Sequence, residues 1–189
     1  MNEFITKEIM AIIPTYMPDR GNCTVIYTSD ENIVLDLTVR SIVKKLCAHY
    51  HLDIKSSNKY YGGLIAVRNM VPLPLARDKI FIQLKVRKPI GHCDGVMGYF
   101  NLDSIEKIKE LKTGTLVILN NGIEIQCMCT QDTIKKHMNH GELVRNLYDN
   151  RIYTINEAME RYEATDTPAT KSDIARIYMA IQDIAGKIS

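Results

Sequence analysis

Residues 115–129 read TLVILNNGIEIQCMC, two β-rich runs joined across Asn121-Gly122. No short-range pattern in a sequence signals a β-hairpin more strongly, because Asn and Gly tolerate the positive φ that a tight turn between antiparallel strands requires. The middle of the chain therefore holds an antiparallel ladder, and the remaining segments must pack around it.

Those segments alternate between strand and helix patterns. Residues 4–13 (FITKEIMAII) read as a strand stopped by Pro14, followed by a loop over 14–22. Residues 23–29 form a second strand, and 33–36 pair back after an Asp30-Glu31-Asn32 turn. Thr38 caps a helix to about Tyr50, with Val39, Ile42, Val43 and Leu46 on one face. The Ser- and Gly-rich stretch 56–69 reads as a loop with a short helical turn after it, and Pro72 and Pro74 make 70–77 extended. Strands are expected at 79–86 and around 96–100, and a short helix at 103–111 after an Asp cap. Beyond the hairpin, Thr130 caps a helix carrying Ile134, Met138, Leu143 and Leu147 and interrupted near Gly141. Residues 154–163 are helical, 164–170 form a linker, and 171–186 make a last helix with Ile174, Ile177, Tyr178, Ile181 and Ile184 on one stripe. The fold class is α+β: an antiparallel sheet with hairpins, peripheral helices and a helical C-terminus. The expected division is an α+β domain over 1–150 and a helical extension over 151–189.

Ordinary globular composition, 46% hydrophobic and 24% charged over 189 residues, supports a substantial core. No apolar run approaches the ~18 residues that span a bilayer, and the N-terminal Glu3 and Glu8 precede no signal-like stretch, so the chain reads as cytoplasmic and without a membrane partner. The five cysteines are odd in number and scattered, which argues for reduced, mostly buried thiols rather than a disulfide framework or a metal site.

Charge is distributed unevenly. Residues 37–92 hold eleven Lys/Arg against Asp53 and Asp78 alone, a local charge of +9, while the rest of the chain sums to −7. A concentrated positive field with aromatic residues inside it fits a polyanion, above all nucleic acid. In Lys59-Tyr60-Tyr61-Gly62-Gly63, rings and a cation stand beside residues that allow close backbone approach. Arg68 and Arg77 offer planar forks for phosphate oxygens. Lys55, Lys79, Lys85, Arg87 and Lys88 complete the expected DNA-binding set.

Catalytic patterns are absent: there is no Gly-rich phosphate loop, no GxSxG and no HExxH. His49 and His51 diverge on a helix, and adjacent His92 and Cys93 would point to opposite faces of a strand. His137 and His140 share a helix face without an obvious acidic or thiol partner. The residues thus imply no enzyme, no cofactor and no metal.

The string Ser57-Asn58-Lys59-Tyr60-Tyr61-Gly62-Gly63 followed by Arg68 resembles the aromatic-aromatic-Gly…Arg block of the competence transcription factor (ComK) family. Ile80-Phe81 and Cys93 fall where that family has an Ile-Phe strand and a later Cys, and the opening EIMAIIP and the NNG hairpin also correspond. The resemblance covers roughly residues 4–148 and is that of a diverged member. Gln83-Leu84 replaces a Phe-Pro, Gly95 stands near a usual Trp, and Val67-Arg68 replaces a Gly-Arg pair. Residues 96–129 are also similar to the strand-rich half of LytTR-type DNA-binding domains.

The first resemblance implies a bacterial activator of competence genes that binds AT-rich double-stranded DNA through backbone and minor-groove contacts as an oligomer. RNA polymerase and a proteolytic adaptor are further implied partners. The acidic C-terminal helices, with Glu157, Glu160, Glu163, Asp166, Asp173 and Asp183, are expected to serve dimer or polymerase contact. An RNA-binding module and a non-catalytic protein-interaction adaptor remain alternative uses of the same basic face.

Overall fold

Among the described residues nine strands pair, all antiparallel, in two sheets. The computed structural model describes residues 3–91, 94–164 and 171–188. His92, Cys93 and most of the expected linker at 164–170 lie outside the described residues. The chain falls into two compact units, Met1–Asp149 and Asn150–Ser189.

In the first unit the strands are β1 (Ile9–Met17), β2 (Gly21–Thr28), β3 (Asn32–Leu35), β4 (Leu73–Ala76), β5 (Lys79–Lys85), β6 (Met97–Asn101), β7 (Ile105–Leu111), β8 (Gly114–Leu119) and β9 (Glu124–Cys127). The larger sheet has the order β3-β2-β1-β6-β5-β4 and the smaller one β7-β8-β9. Helices α1 (Val39–His49) and α2 (Ile54–Leu64) link β3 to β4, and α3 (Gln131–Ala164) follows β9.

The larger sheet is covered on both faces. In β5, Phe81 packs with Ile42, Val43 and Leu46 of α1, while Ile80, Ile82 and Leu84 pack with Val117, Leu119 and Ile125 of the smaller sheet and Ile134 of α3. In β1, Ile12 and Ile13 likewise point into opposite clusters. Two-sided burial explains why these strands are nearly all apolar rather than cleanly alternating.

Several local expectations are corrected. Pro14 does not end β1; it pairs in register with Thr24. Pairing of β1 with β6 stops at Ile12, so at Pro14 the strand has one bonded neighbour, an edge condition that tolerates proline. The expected loop at 14–22 shrinks to the turn between Met17 and Gly21.

The segment 103–111 is not a helix. A short 3-10 turn, Leu102–Ser104, leads into β7. A register shift between Ile105 and Lys107 lets Ile105 and Ile108 both pack on the core shared with β8. The bulge turns the strand's period of two into a spacing of three, which in sequence looks helical.

The segment around 56–64 is the helix α2, not a loop. Asp53 is its N-cap, accepting the Ser56 N–H at 2.7 Å. Gly141 does not interrupt α3; a Cβ there would lie 2.9 Å from Leu102 and 3.0 Å from Ile82, so its missing side chain is what lets the helix lie against the sheet.

His137, 8% exposed, and His140 stand edge-on with ring centroids 6.3 Å apart. Burial, the His140 ring and Lys136 hold the His137 pKa below its ordinary 6.5, and burial with Lys136 does the same for His140. The folded chain therefore resists protonation that the unfolded chain accepts. Their contribution to stability is intact above about pH 6.5 and is lost as pH falls below it. The thermal midpoint should drop by a few degrees between pH 7.5 and 5.5, a window above that of the carboxylates. His137→Gln should shrink that drop in a calorimetric or circular-dichroism melt, and an unchanged drop would rule this source out.

The second unit contains the remainder of α3 and α4 (Lys171–Ile188). On α4 the side chains of Ile174, Ile177, Tyr178 and Ile181, at the helical spacing expected from sequence, are 58–63% exposed.

Candidate nucleic-acid interface

The Lys59-to-Arg68 segment owes its shape to how α2 ends. Ile65 closes the helix with its N–H on the Tyr61 carbonyl at 3.0 Å. Ala66 then takes a left-handed φ of 54°, and Val67 donates its N–H back to the Gly62 carbonyl at 2.8 Å. This reversal is a Schellman motif, and it turns the chain back alongside the last helical turn. Gly62 is required by the close approach: a Cβ there would sit 2.5 Å from the Val67 carbonyl oxygen. The Gly-Gly pair, which in sequence argues for a loop, is a helix C-terminus built for a tight reversal.

The result is an open depression of about 520 Å³ with Lys59 and Arg68 on its wall and Gly62 and Gly63 at its base. Lys59, Gly63 and Arg68 are exposed. Tyr60 is 48% exposed, whereas Tyr61 is 2% exposed and packs with Val71 and Val144. The two rings meet edge-on with centroids 5.0 Å apart. One tyrosine of the pair thus faces solvent and the other anchors the helix to the core, as the helical 100° step between neighbours dictates. Tyr61 and Gly62, both expected among the DNA contacts, are buried.

The other expected contacts are not gathered into the same place. Arg77 precedes β5 and pairs with Asp149 at 3.4 Å, with its side chain largely exposed. Lys79 pairs with Asp78 at 2.9 Å; that hydrogen bond raises the lysine's pKa and lowers the carboxyl's. At the far end of β5, about 20 Å away by strand geometry, lie exposed Lys85 and Lys88 and half-buried Arg87.

Arg87 is an anchor of the 86–96 connection. Its guanidinium donates to the Asn22 side-chain oxygen at 2.6 Å and to the Gly95 carbonyl at 2.8 Å. Asp94 closes the same connection by accepting the Gly91 N–H at 2.6 Å and the Ile90 N–H at 3.0 Å, and these bonds hold its carboxyl below the usual range.

Lys55 lies at the start of α2 with Arg40 and Lys44 of α1 around a separate cavity of about 740 Å³. Arg40 and Lys44 were outside the expected set; their i, i+4 spacing on a helix whose opposite face is apolar is the signal that places them together.

Burial raises the thiol of Cys47 to about 11 and that of Cys127 to about 12, so both stay protonated at neutral pH. Among the described residues no cluster of His, Cys, Asp and Glu could hold a metal ion, and no helix is long and apolar enough to cross a membrane.

A family model described as ComK protein matches residues 2–153, the whole first unit but its initial residue and the first turn of the second. No curated protein and no solved structure matches the chain.

Proposed function

The chain belongs to the ComK family of competence transcription factors, DNA-binding regulators rather than enzymes, and from that premise we propose that it activates bacterial competence-type genes by reading AT-rich duplex DNA through the backbone and minor groove. The observation that carries the reading is the pairing of Lys59 and Arg68 on one open depression with glycine at its base and Tyr60 beside it. Two cations beside closely approachable backbone suit a phosphate chain. An exposed guanidinium suits a narrow A·T minor groove, where the negative potential is greatest. Arg77, Lys79, Lys85 and Lys88 extend the positive field, which steers association, while Arg87 serves the loop that presents Lys88. The protein works in the cytoplasm in this reading.

A gel-shift titration on AT-rich and GC-rich duplexes of equal length, at two salt concentrations, tests it. The AT-rich duplex should bind at least tenfold tighter, and log K should fall by about 0.9 per log salt for each phosphate neutralised. A flat salt dependence, or tighter binding of single-stranded RNA, would contradict the proposal.

We further propose self-association through α4. The helix lies beyond the residues matched by the family model, and its apolar stripe has the spacing of a helix-packing face. Contacts with RNA polymerase and with a proteolytic adaptor belong to the same proposal, through the acidic helices. In sedimentation, Ile177→Asp with Ile181→Asp should reduce the mass to that of one chain of 21.5 kDa. An unchanged mass would exclude the stripe as the contact.

A further inference from the structure

We propose that the cavity between α1, the start of α2 and β6 binds an amphipathic anion, an alkyl chain ending in a carboxylate or phosphate. Its volume of about 740 Å³ lies in the range of small-molecule sites, roughly 300–1,000 Å³. The floor is apolar: Val43 and Cys47 are buried at the back, and Leu52, Val96, Met97 and Tyr99 line it half-buried. The rim is cationic. Arg40 and Lys44 stand one turn apart on α1, and Lys55 faces them from the first turn of α2, all three exposed.

None of these cations forms an ion pair among the described residues. The one carboxylate at the cavity, Asp53, is engaged as the N-cap of α2 through the Ser56 N–H. The Cys47 thiol stays neutral because burial raises its pKa to about 11, so it adds no competing negative charge.

This division of an apolar floor and a cationic rim distinguishes the occupant. A phosphodiester chain would find its phosphates paired at the rim and nothing to match the floor. An extended peptide would find β5 bonded all along β6 and only the short stretch before Tyr99 left unpaired by β1, too little edge for strand addition. A molecule with an apolar tail and one anionic head satisfies both parts of the site at once. The assignment does not depend on the DNA-binding reading.

Calorimetric titration of the full-length protein with decanoate, dodecanoate, decyl phosphate and decanol, all below their micellar concentrations, tests it. One site per chain should bind the anions, with either head group counting in favour. Affinity should rise about fourfold per added CH₂ between the two alkanoates. Decanol should bind at least tenfold more weakly. Arg40→Gln with Lys44→Gln should weaken decyl phosphate at least tenfold and leave decanol unchanged.

Ala48 is exposed on the lining face of α1, so Ala48→Trp fills the groove from outside while the core is untouched, and it should abolish binding with an unchanged thermal midpoint. The proposal is overturned if no anion binds saturably, if decanol matches decanoate, or if Ala48→Trp binds as before. It is also overturned if an acidic amphipathic helical peptide binds where no alkanoate does, which would hand the groove to a protein partner.

Discussion

Combining Lys59→Ala with Arg68→Ala should lower affinity for AT-rich duplex by about 10- to 100-fold. The lower bound assumes two phosphate contacts, and the upper one a guanidinium in the groove, where a base-edge contact is worth about 1–3 kcal/mol. The salt slope should flatten by about 1.8, which is two phosphates at 0.9 each. Both side chains are exposed and neither has a salt bridge among the described residues, so the thermal midpoint should move no more than surface changes usually move it, within about 0.5 kcal/mol. The comparison variant is Lys79→Ala. Its ammonium is held by Asp78, and it should cost less affinity and less slope. The measurement is a salt series of DNA titrations on the three proteins alongside melts. If Lys79→Ala proves as damaging as the double variant, the field of the whole region, and not the α2 depression, carries binding.

The largest stability effect is expected at Gly114, on the turn between β7 and β8. Its φ of +97° is a conformation that side chains rarely adopt, and a Cβ there would run into the Cys127 carbonyl oxygen of β9. The overlap is with backbone inside a three-stranded sheet, so no side-chain rotation relieves it. Gly114→Val should cost about 3 kcal/mol or more through strain and steric displacement together. At about 2–4 °C per kcal/mol for a chain of this size, the midpoint should fall by roughly 6–12 °C. The smaller sheet forms one wall of the core that also holds Ile80, Ile82 and Leu84 of β5. DNA binding should therefore be lost only as the protein unfolds, with the salt slope of the folded fraction unchanged. A midpoint within 2 °C of the parent would show that β9 can yield at no cost, contrary to the packing.

Much of the architecture was legible because its signals are local. The Asn121-Gly122 turn brings Leu119 and Ile123 together through the Leu119 N–H and the Ile123 carbonyl at 2.9 Å. Thr38 caps α1 by accepting the Ser41 N–H, and the apolar residues of that helix are buried as their spacing demands. The family likeness rests on similarly local strings. The failures share a cause: a local pattern whose meaning depends on a distant partner. IEKIKEL reads as a helix until β8 supplies a bulged register. Gly62-Gly63 reads as a loop until Val67 folds back on it, and Gly141 as a break until Leu102 and Ile82 are seen pressed against it.

The candidate site was harder to read than the fold for the same reason. A run of cations gives charge per residue but not direction in space. Lys59 and Arg68 converge because a left-handed Ala66 reverses the chain between them. Lys79 and Lys85 are parted because a strand holds them at opposite ends. Tyr60 and Tyr61 are identical in composition, yet one is half exposed and the other sealed against Val71 and Val144.

From its residues alone, then, the chain dictates antiparallel hairpins, a capped helix after β3, an apolar stripe near its C-terminus and a positive central third, because each depends only on neighbours within a few positions. Tertiary packing alone decides which distant cations meet, that Arg77 is paired with Asp149, and which cations surround an apolar cavity. Those outcomes depend on side chains tens of residues apart, and only burial of the shared core brings them into contact.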